Sequence, residues 1–230
     1  LPFIARSRKK KTGSLDENQI RMIQDRITYL RAMEARKETI LNSISEQGKL
    51  TDELRQRIEQ TTKLQELEDL YLPFKPKKRT RATVAREKGL QPLADLILEQ
   101  QMISGNREEE AARFVDPDKE VATIDDALQG ARDIVAETVS EDADIRKAIR
   151  EQTFKAGILS SDAKKAEERT EFEIYYEFSE AVKQLKPHQI LALNRGETEN
   201  ILKIRIEVDT DRMAQIIEEF YIENTSSVFT

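Results

Sequence analysis

Apolar residues along this chain recur at the three-to-four spacing of a helix face, and only between Leu202 and Val208 do they alternate every second position. That contrast restricts the fold to a mainly α, multi-helical array with a long N-terminal helix, helix-turn-helix-like pairs and one short β element near the C-terminus. Composition agrees: 36% of residues are charged and 6% aromatic, tryptophan is absent and there are 7 glycines, so helix-favouring side chains dominate. A length of 230 residues is ample for a buried core.

Ser14-Leu15-Asp16-Glu17 reads as a capping box that opens the long helix. Along it Ile20, Ile23, Ile27, Leu30, Leu41 and Ile44 keep a seven-residue repeat, interrupted where Glu34 and Lys37 occupy the seam with Met33 and Ile40 beside it. Such a stripe serves either a coiled-coil partner or, more commonly, an antiparallel helix of the same chain. Gly48 ends it. Thr51 caps a second helix through Glu59, and a third runs from about Lys63 to Tyr71, where Pro73 breaks the pattern. Thr80 caps a short helix closing at Gly89, and Pro92 sits in the first turn of the next.

Further along, Thr123 caps a helix with the stripe Ile124, Ala127, Leu128, Ala131, Val135 and Val139, and Ser140 caps another from Asp142 to about Ala156. Ser160 to Thr170 is expected to be polar and mobile. Phe172, Tyr175, Tyr176 and Phe178 are a candidate core cluster, Pro187 opens a helix ending at Gly196, and Leu202 to Val208 is a half-buried strand in need of a partner. Thr210 caps a closing helix. The expected division is a module at 1–105 with the long helix and a basic loop, a second helical module at 106–200, and a strand plus helix at 201–230, with a boundary near Gly105.

Net charge is −6 and unevenly spread. The first eleven residues hold five bases (Arg6, Arg8, Lys9, Lys10 and Lys11) and no acid, while residues 75–88 hold seven bases against Glu87. Setting aside those two runs, +5 and +6, leaves −17 for the rest. In Lys75-Pro76-Lys77-Lys78-Arg79-Thr80-Arg81, prolines stiffen a cationic segment just ahead of a helix N-terminus, and Arg86 follows on that helix. Phosphate contact by Lys75, Lys77, Lys78, Arg79, Arg81 and Arg86, extended by Arg8, Lys9, Lys10 and Lys11, is one reading. An internal salt-bridge belt or a solvated loop is the other. Arg146, Lys147 and Arg150 on the second helix of a pair invite a groove-reading role, but Asp142, Asp144 and Glu151 dilute their charge.

Catalysis finds few residues to work with. Cysteine is absent and His188 is the sole histidine, so thiol chemistry, zinc sites and Ser-His-Asp triads are excluded. Asp116-Pro117-Asp118 lacks the glycine of a calcium loop at the sixth position, where Val121 stands, and glycine-rich phosphate cradles are missing. No catalytic residue, metal or cofactor is expected. With no apolar run long enough for a membrane span and no cysteine, a cytoplasmic location is expected.

Leu67-Glu68-Asp69-Leu70-Tyr71-Leu72-Pro73-Phe74-Lys75-Pro76-Lys77-Lys78-Arg79-Thr80-Arg81-Ala82-Thr83-Val84-Ala85-Arg86-Glu87-Lys88-Gly89-Leu90 closely resembles the bacterial Tex family of transcription accessory proteins. Pro2-Phe3-Ile4-Ala5-Arg6, Gly130-Ala131-Arg132-Asp133-Ile134 and Ala192-Leu193-Asn194-Arg195-Gly196 match the same family, up to about Leu202. The chain starts at Leu1, not methionine, and ends without a helix stop, so it is expected to be part of a longer protein. The resemblance implies that the longer protein continues into a ribonuclease-H-like domain, helix-hairpin-helix elements and an S1 domain. It implies RNA or DNA binding by the full-length protein, mostly through the S1 domain, and no membrane partner. For these residues it implies a helical scaffold that contacts phosphate backbone without sequence readout. The alternative is a protein-interaction module docking RNA polymerase or ribosome components through acidic helices.

Overall fold

A computed structural model describes Lys11, residues 13–165, Glu167 and residues 169–229. The chain forms two compact units, Leu1–Pro76 and Lys77–Thr230. In the first, α1 (Glu17–Glu46) is followed by α2 (Asp52–Gln60), α3 (Leu64–Tyr71) and a 3-10 turn at Leu72–Phe74. The box that opens α1 lies two residues later than the serine suggests. The Asp16 carboxylate accepts from the Gln19 amide at 2.8 Å and the Gln19 side chain accepts from the Asp16 amide at 2.9 Å. A carboxylate also complements the helix dipole, which a hydroxyl does not. At the other end Gly48 adopts φ +68°, letting its amide reach the Ser45 carbonyl and the Lys49 amide reach that of Ile44.

The buried stripe of α1 is Met33, Lys37, Ile40 and Ile44, packed in a unit that also buries Ile58, Leu67, Leu70 and Tyr71. The expected seam is thus corrected: Ile23, Ile27 and Leu30 are exposed, and Lys37, read as an interruption, is 7% exposed. Its aliphatic stem lies in the core and its ammonium donates to the Glu59 carbonyl at 2.7 Å, a cation closing the C-terminal end of α2. Arg36 grips Glu68 through two hydrogen bonds, 2.6 and 3.0 Å, while its guanidinium lies 5.4 Å from the Tyr71 ring centre, so α1 and α3 are stapled by one side chain.

The second unit is built around α7. In order it contains α4 (Arg81–Glu87), α5 (Gln91–Glu99), α6 (Arg107–Ala112), α7 (Ile124–Glu141) and α8 (Ala143–Ala156). Ala82, Ala85, Leu90, Leu93, Ala94, Ala111 and Val121 close over Ala127, Ala131 and Ile134 of α7. Residues on both sides of Gly105 therefore share one core, and the compact units divide at Pro76 and Lys77. Small residues set the spacing: a side chain at Gly130 would collide with Leu90. Ser140 does not cap α8. It lies inside α7, and Asp142 caps instead, accepting from Asp144 and Ile145 amides at 2.8 and 3.0 Å.

A three-stranded antiparallel sheet follows, with β1 (Ile158–Ala163) between β2 (Glu177–Ala181) and β3 (Leu202–Glu207). Two of these strands went unforeseen, and the polar segment expected from Ser160 contributes the central one. Ser161 is buried, but its hydroxyl donates to the Tyr175 carbonyl at 2.6 Å, which removes the penalty of burying it. The expected aromatic core is present: Phe172 and Tyr175 are buried with Leu193 and Leu202. Helix α9 (Pro187–Thr198) runs past Gly196, and Asn200 at φ +62° ends it instead. Helix α10 (Thr210–Tyr221) is capped by Asp209, one residue before the threonine expected to do so.

Gly196 is confined by the sheet. A Cβ there would lie 2.6 Å from Cδ1 and 2.8 Å from Cγ of the fully buried Leu202. Gly196→Ala is therefore expected to destabilise by about 1–3 kcal/mol, overcrowding outweighing the roughly 1 kcal/mol gain in helix propensity. Urea denaturation checks this.

Candidate nucleic-acid interface

The basic segment of the second unit begins at Lys77 and runs into α4, whose first residue is Arg81. Thr80 caps that helix, its hydroxyl oxygen accepting from the Thr83 amide at 3.0 Å. The same hydroxyl donates to Glu137 Oε1 at 2.8 Å, so a carboxylate of the molecule already stands at this helix start. Two cations converge on the same group. Arg86 donates to Glu137 Oε2 at 2.5 Å, and the Lys77 ammonium sits 3.7 Å from Oε2 while also pairing with Glu141.

The counter-charges come from one face of α7. Asp133, Glu137 and Glu141 recur every fourth residue, which stacks them along the helix. Arg81 lies 3.8 Å from Asp133, and Arg79 pairs with Glu87 of α4 at 2.7 Å. Both pairs are solvated at the cation end, with the Arg81 and Arg79 side chains 86% and 68% exposed, so water screens them. Lys78 is exposed and forms no ion pair among the described residues. The carboxylate partners were missed in the sequence, where their four-residue period was the available signal.

Beside the segment a cleft of about 480 Å³ is lined by Arg79, Arg81 and Lys88 but also by Glu120, Asp126 and Asp133. Its charges balance, so it does not concentrate polyanions as a one-sign groove would. In the first unit Lys75 is exposed, and its charge adds to the pull of Arg36 in lowering the Glu68 pKa. Lys11 is exposed; Arg8, Lys9 and Lys10 lie outside the described residues.

Burial alone would raise the Glu137 pKa, but the hydrogen bonds from Arg86 and Thr80 and the charges of Lys77 and Arg86 outweigh it, and the net shift is downward. The folded carboxyl thus ionises at lower pH than the unfolded one. Its contribution to stability is complete above the ordinary carboxylate range and is lost as pH falls through the lowered folded value.

Among the described residues no helix is long and apolar enough to cross a membrane. Residues 104–228 match the family described as Tex central region-like, and residues 1–45 match the Tex-like protein N-terminal domain. The chain is 45% identical over 230 residues to the protein YdcI of Bacillus subtilis (strain 168), covering 99% of this chain and 32% of that protein. It is 40% identical over 213 residues to the transcriptional accessory protein Tex of Neisseria gonorrhoeae, covering 92% of this chain and 28% of that one. Against the S1 RNA-binding domain-containing protein 1 of Homo sapiens the figures are 29% over 218 residues, 90% and 21%. The chain therefore spans between a fifth and a third of the length of these relatives.

Replacing Glu137 by Gln should cost about 1–2 kcal/mol at neutral pH, because a charge-assisted network becomes neutral on one side. The cost should shrink as pH falls from the ordinary carboxylate range through the lowered folded value. Denaturation of both proteins across that pH range reads the difference directly.

Proposed function

The chain belongs to the Tex family, and on that premise we propose that it serves as a cytoplasmic helical scaffold of a transcription accessory factor, offering a small, sequence-independent contact for phosphate backbone. The carrying observation is the division of labour in the basic segment. Lys77 and Arg86 are spent on the acidic face of α7, while Lys78, Arg79 and Arg81 project outward. Three cations neutralise few phosphates, so affinity from this surface alone is weak and strongly salt-dependent. Most of the binding in the whole protein then belongs to parts beyond these residues. The names of the gonococcal and human relatives, which refer to transcription and to an S1 RNA-binding domain, support that assignment.

A non-catalytic role accords with the name of the gonococcal relative, an accessory protein. RNA polymerase or ribosome components, docked through acidic helices, are the proposed protein partners of the alternative reading.

The triple charge reversal Lys78→Glu, Arg79→Glu and Arg81→Glu should weaken binding to single- or double-stranded RNA and lower the slope of log affinity against log salt by about 2–3. Lys77→Glu should instead lower stability. Fluorescence titrations over a salt series decide; an unchanged slope in the triple variant removes this segment from the binding surface.

A further inference from the structure

The three-stranded sheet ends on β3, which pairs with β1 on one side only. Alternation along β1 shows which groups face the other side. The Ala163 amide donates to the Tyr176 carbonyl, toward β2, and the next amide, that of Lys164, donates to the Ile201 carbonyl, toward β3. Backbone direction reverses at every residue of an antiparallel ladder, so Asp162 and Ser160 exchange bonds with Lys203 and Arg205, their partners in register. The amides and carbonyls of Ile204 and Ile206, and of Val208 just beyond the strand, therefore point outward. Among the described residues no hydrogen bond reaches them there. The side chains of Lys203, Arg205, Ile206 and Glu207 are exposed, Ile206 at 53%.

Exposed edges are commonly blunted by lysine or proline, which discourage a second strand. This edge instead carries two signs in order: Lys203 and Arg205, then Glu207 and Asp209, with Ile204, Ile206 and Val208 between them. Turned end for end about Ile206, the sequence meets its own complement. Ile206 faces Ile206, Ile204 faces Val208, Arg205 faces Glu207 and Lys203 faces Asp209, each of the last three occurring in both directions. A slip of two residues either way places Arg205 on Arg205 or Glu207 on Glu207, and a parallel arrangement in register stacks like on like. Within the sheet Arg205 reaches Asp162 through Nη1 at 3.2 Å, and Glu207 Oε1 accepts from the Ser160 hydroxyl at 2.8 Å. Both groups have capacity beyond those bonds, the guanidinium in its remaining N–H donors and the carboxylate in Oε2.

We propose that β3 is a self-association edge, pairing antiparallel with β3 of a second copy about a two-fold axis at Ile206 to give one sheet that runs across both. Main-chain bonds at Ile204, Ile206 and Val208 supply the affinity, and the Arg205 and Glu207 pairs fix direction and register. A foreign strand would need the same reversal of charge order, which a second copy supplies by identity. The contact is isologous, so it stops at two chains. It involves none of Lys78, Arg79 and Arg81, and its outcome is independent of the phosphate contact.

Sedimentation equilibrium of the 230-residue chain should show exchange between monomer and dimer with a Kd on the order of 100 µM, as fits a small contact. Arg205→Glu and Glu207→Arg each set like charges opposite one another and should each weaken dimerisation by about tenfold. An equimolar mixture of the two variants should dimerise as well as the parent chain, because every cross-strand pair is again opposite in sign; that recovery separates lost pairing from lost folding. Ile206→Cys, in a chain with no other cysteine, should give a disulfide-linked dimer under mild oxidation, since paired Cα atoms at the axis lie about 5.5 Å apart. Lys203→Cys should not. A parent chain that stays monomeric up to about 1 mM overturns the proposal. So does a dimer that both charge variants leave intact, or a mixture that fails to recover.

Discussion

One carboxylate organises the basic segment of this protein. Glu137, whose side chain is 11% exposed, receives the Arg86 guanidinium, the Thr80 hydroxyl and the nearby Lys77 ammonium, and thereby ties α4 and the residues before it to α7. Covering a charge to this degree is tolerable only because every approach to it supplies a donor or a cation. Remove that match and the cap of α4, the Lys77 contact and the packing of Ala82 and Ala85 against α7 lose a common anchor. Lys77 and Arg86, two cations of a seven-base run, are therefore architectural first.

The same logic recurs in the first unit, where Arg36 and Lys37 act as structural ties between helices and not as surface charge. In both units, neighbouring bases are sorted by depth. Those whose stems cross apolar surface find a carboxylate or a helix-end carbonyl, and those that point away stay hydrated. A chain with a net charge of −6 can thus carry strongly basic stretches without exposing a broad positive field.

Helices were legible wherever a cap and a stripe coincided. Thr51, Thr80 and Thr123 each cap as their positions imply, and Pro92 and Pro187 each lie in a first turn. Competing caps were less legible: Asp16, Asp142 and Asp209 each displace a nearby hydroxyl residue, because a carboxylate adds charge–dipole attraction to the same hydrogen bond. Gly196 was misread as a stop because glycine in a helix has two explanations, and only the packed Leu202 shows which applies. The central strand was hidden for a different reason. Ser160 and Ser161 carry no apolar alternation, and their pairing with Ser179 and Arg205 or Phe178 and Ile204 is a tertiary fact.

At the candidate interface the cations were visible in sequence and their partners were not, since Lys77 and Glu141 lie 64 positions apart. Coupling between Arg86 and Glu137 tests that account most directly. In a double-mutant cycle with Arg86→Ala and Glu137→Ala, measured by urea denaturation at neutral pH, a favourable interaction of about 1–2 kcal/mol is expected. Additive effects within about 0.3 kcal/mol would mean that the pair does not tie α4 to α7, and the basic segment would have to be regarded as free surface charge.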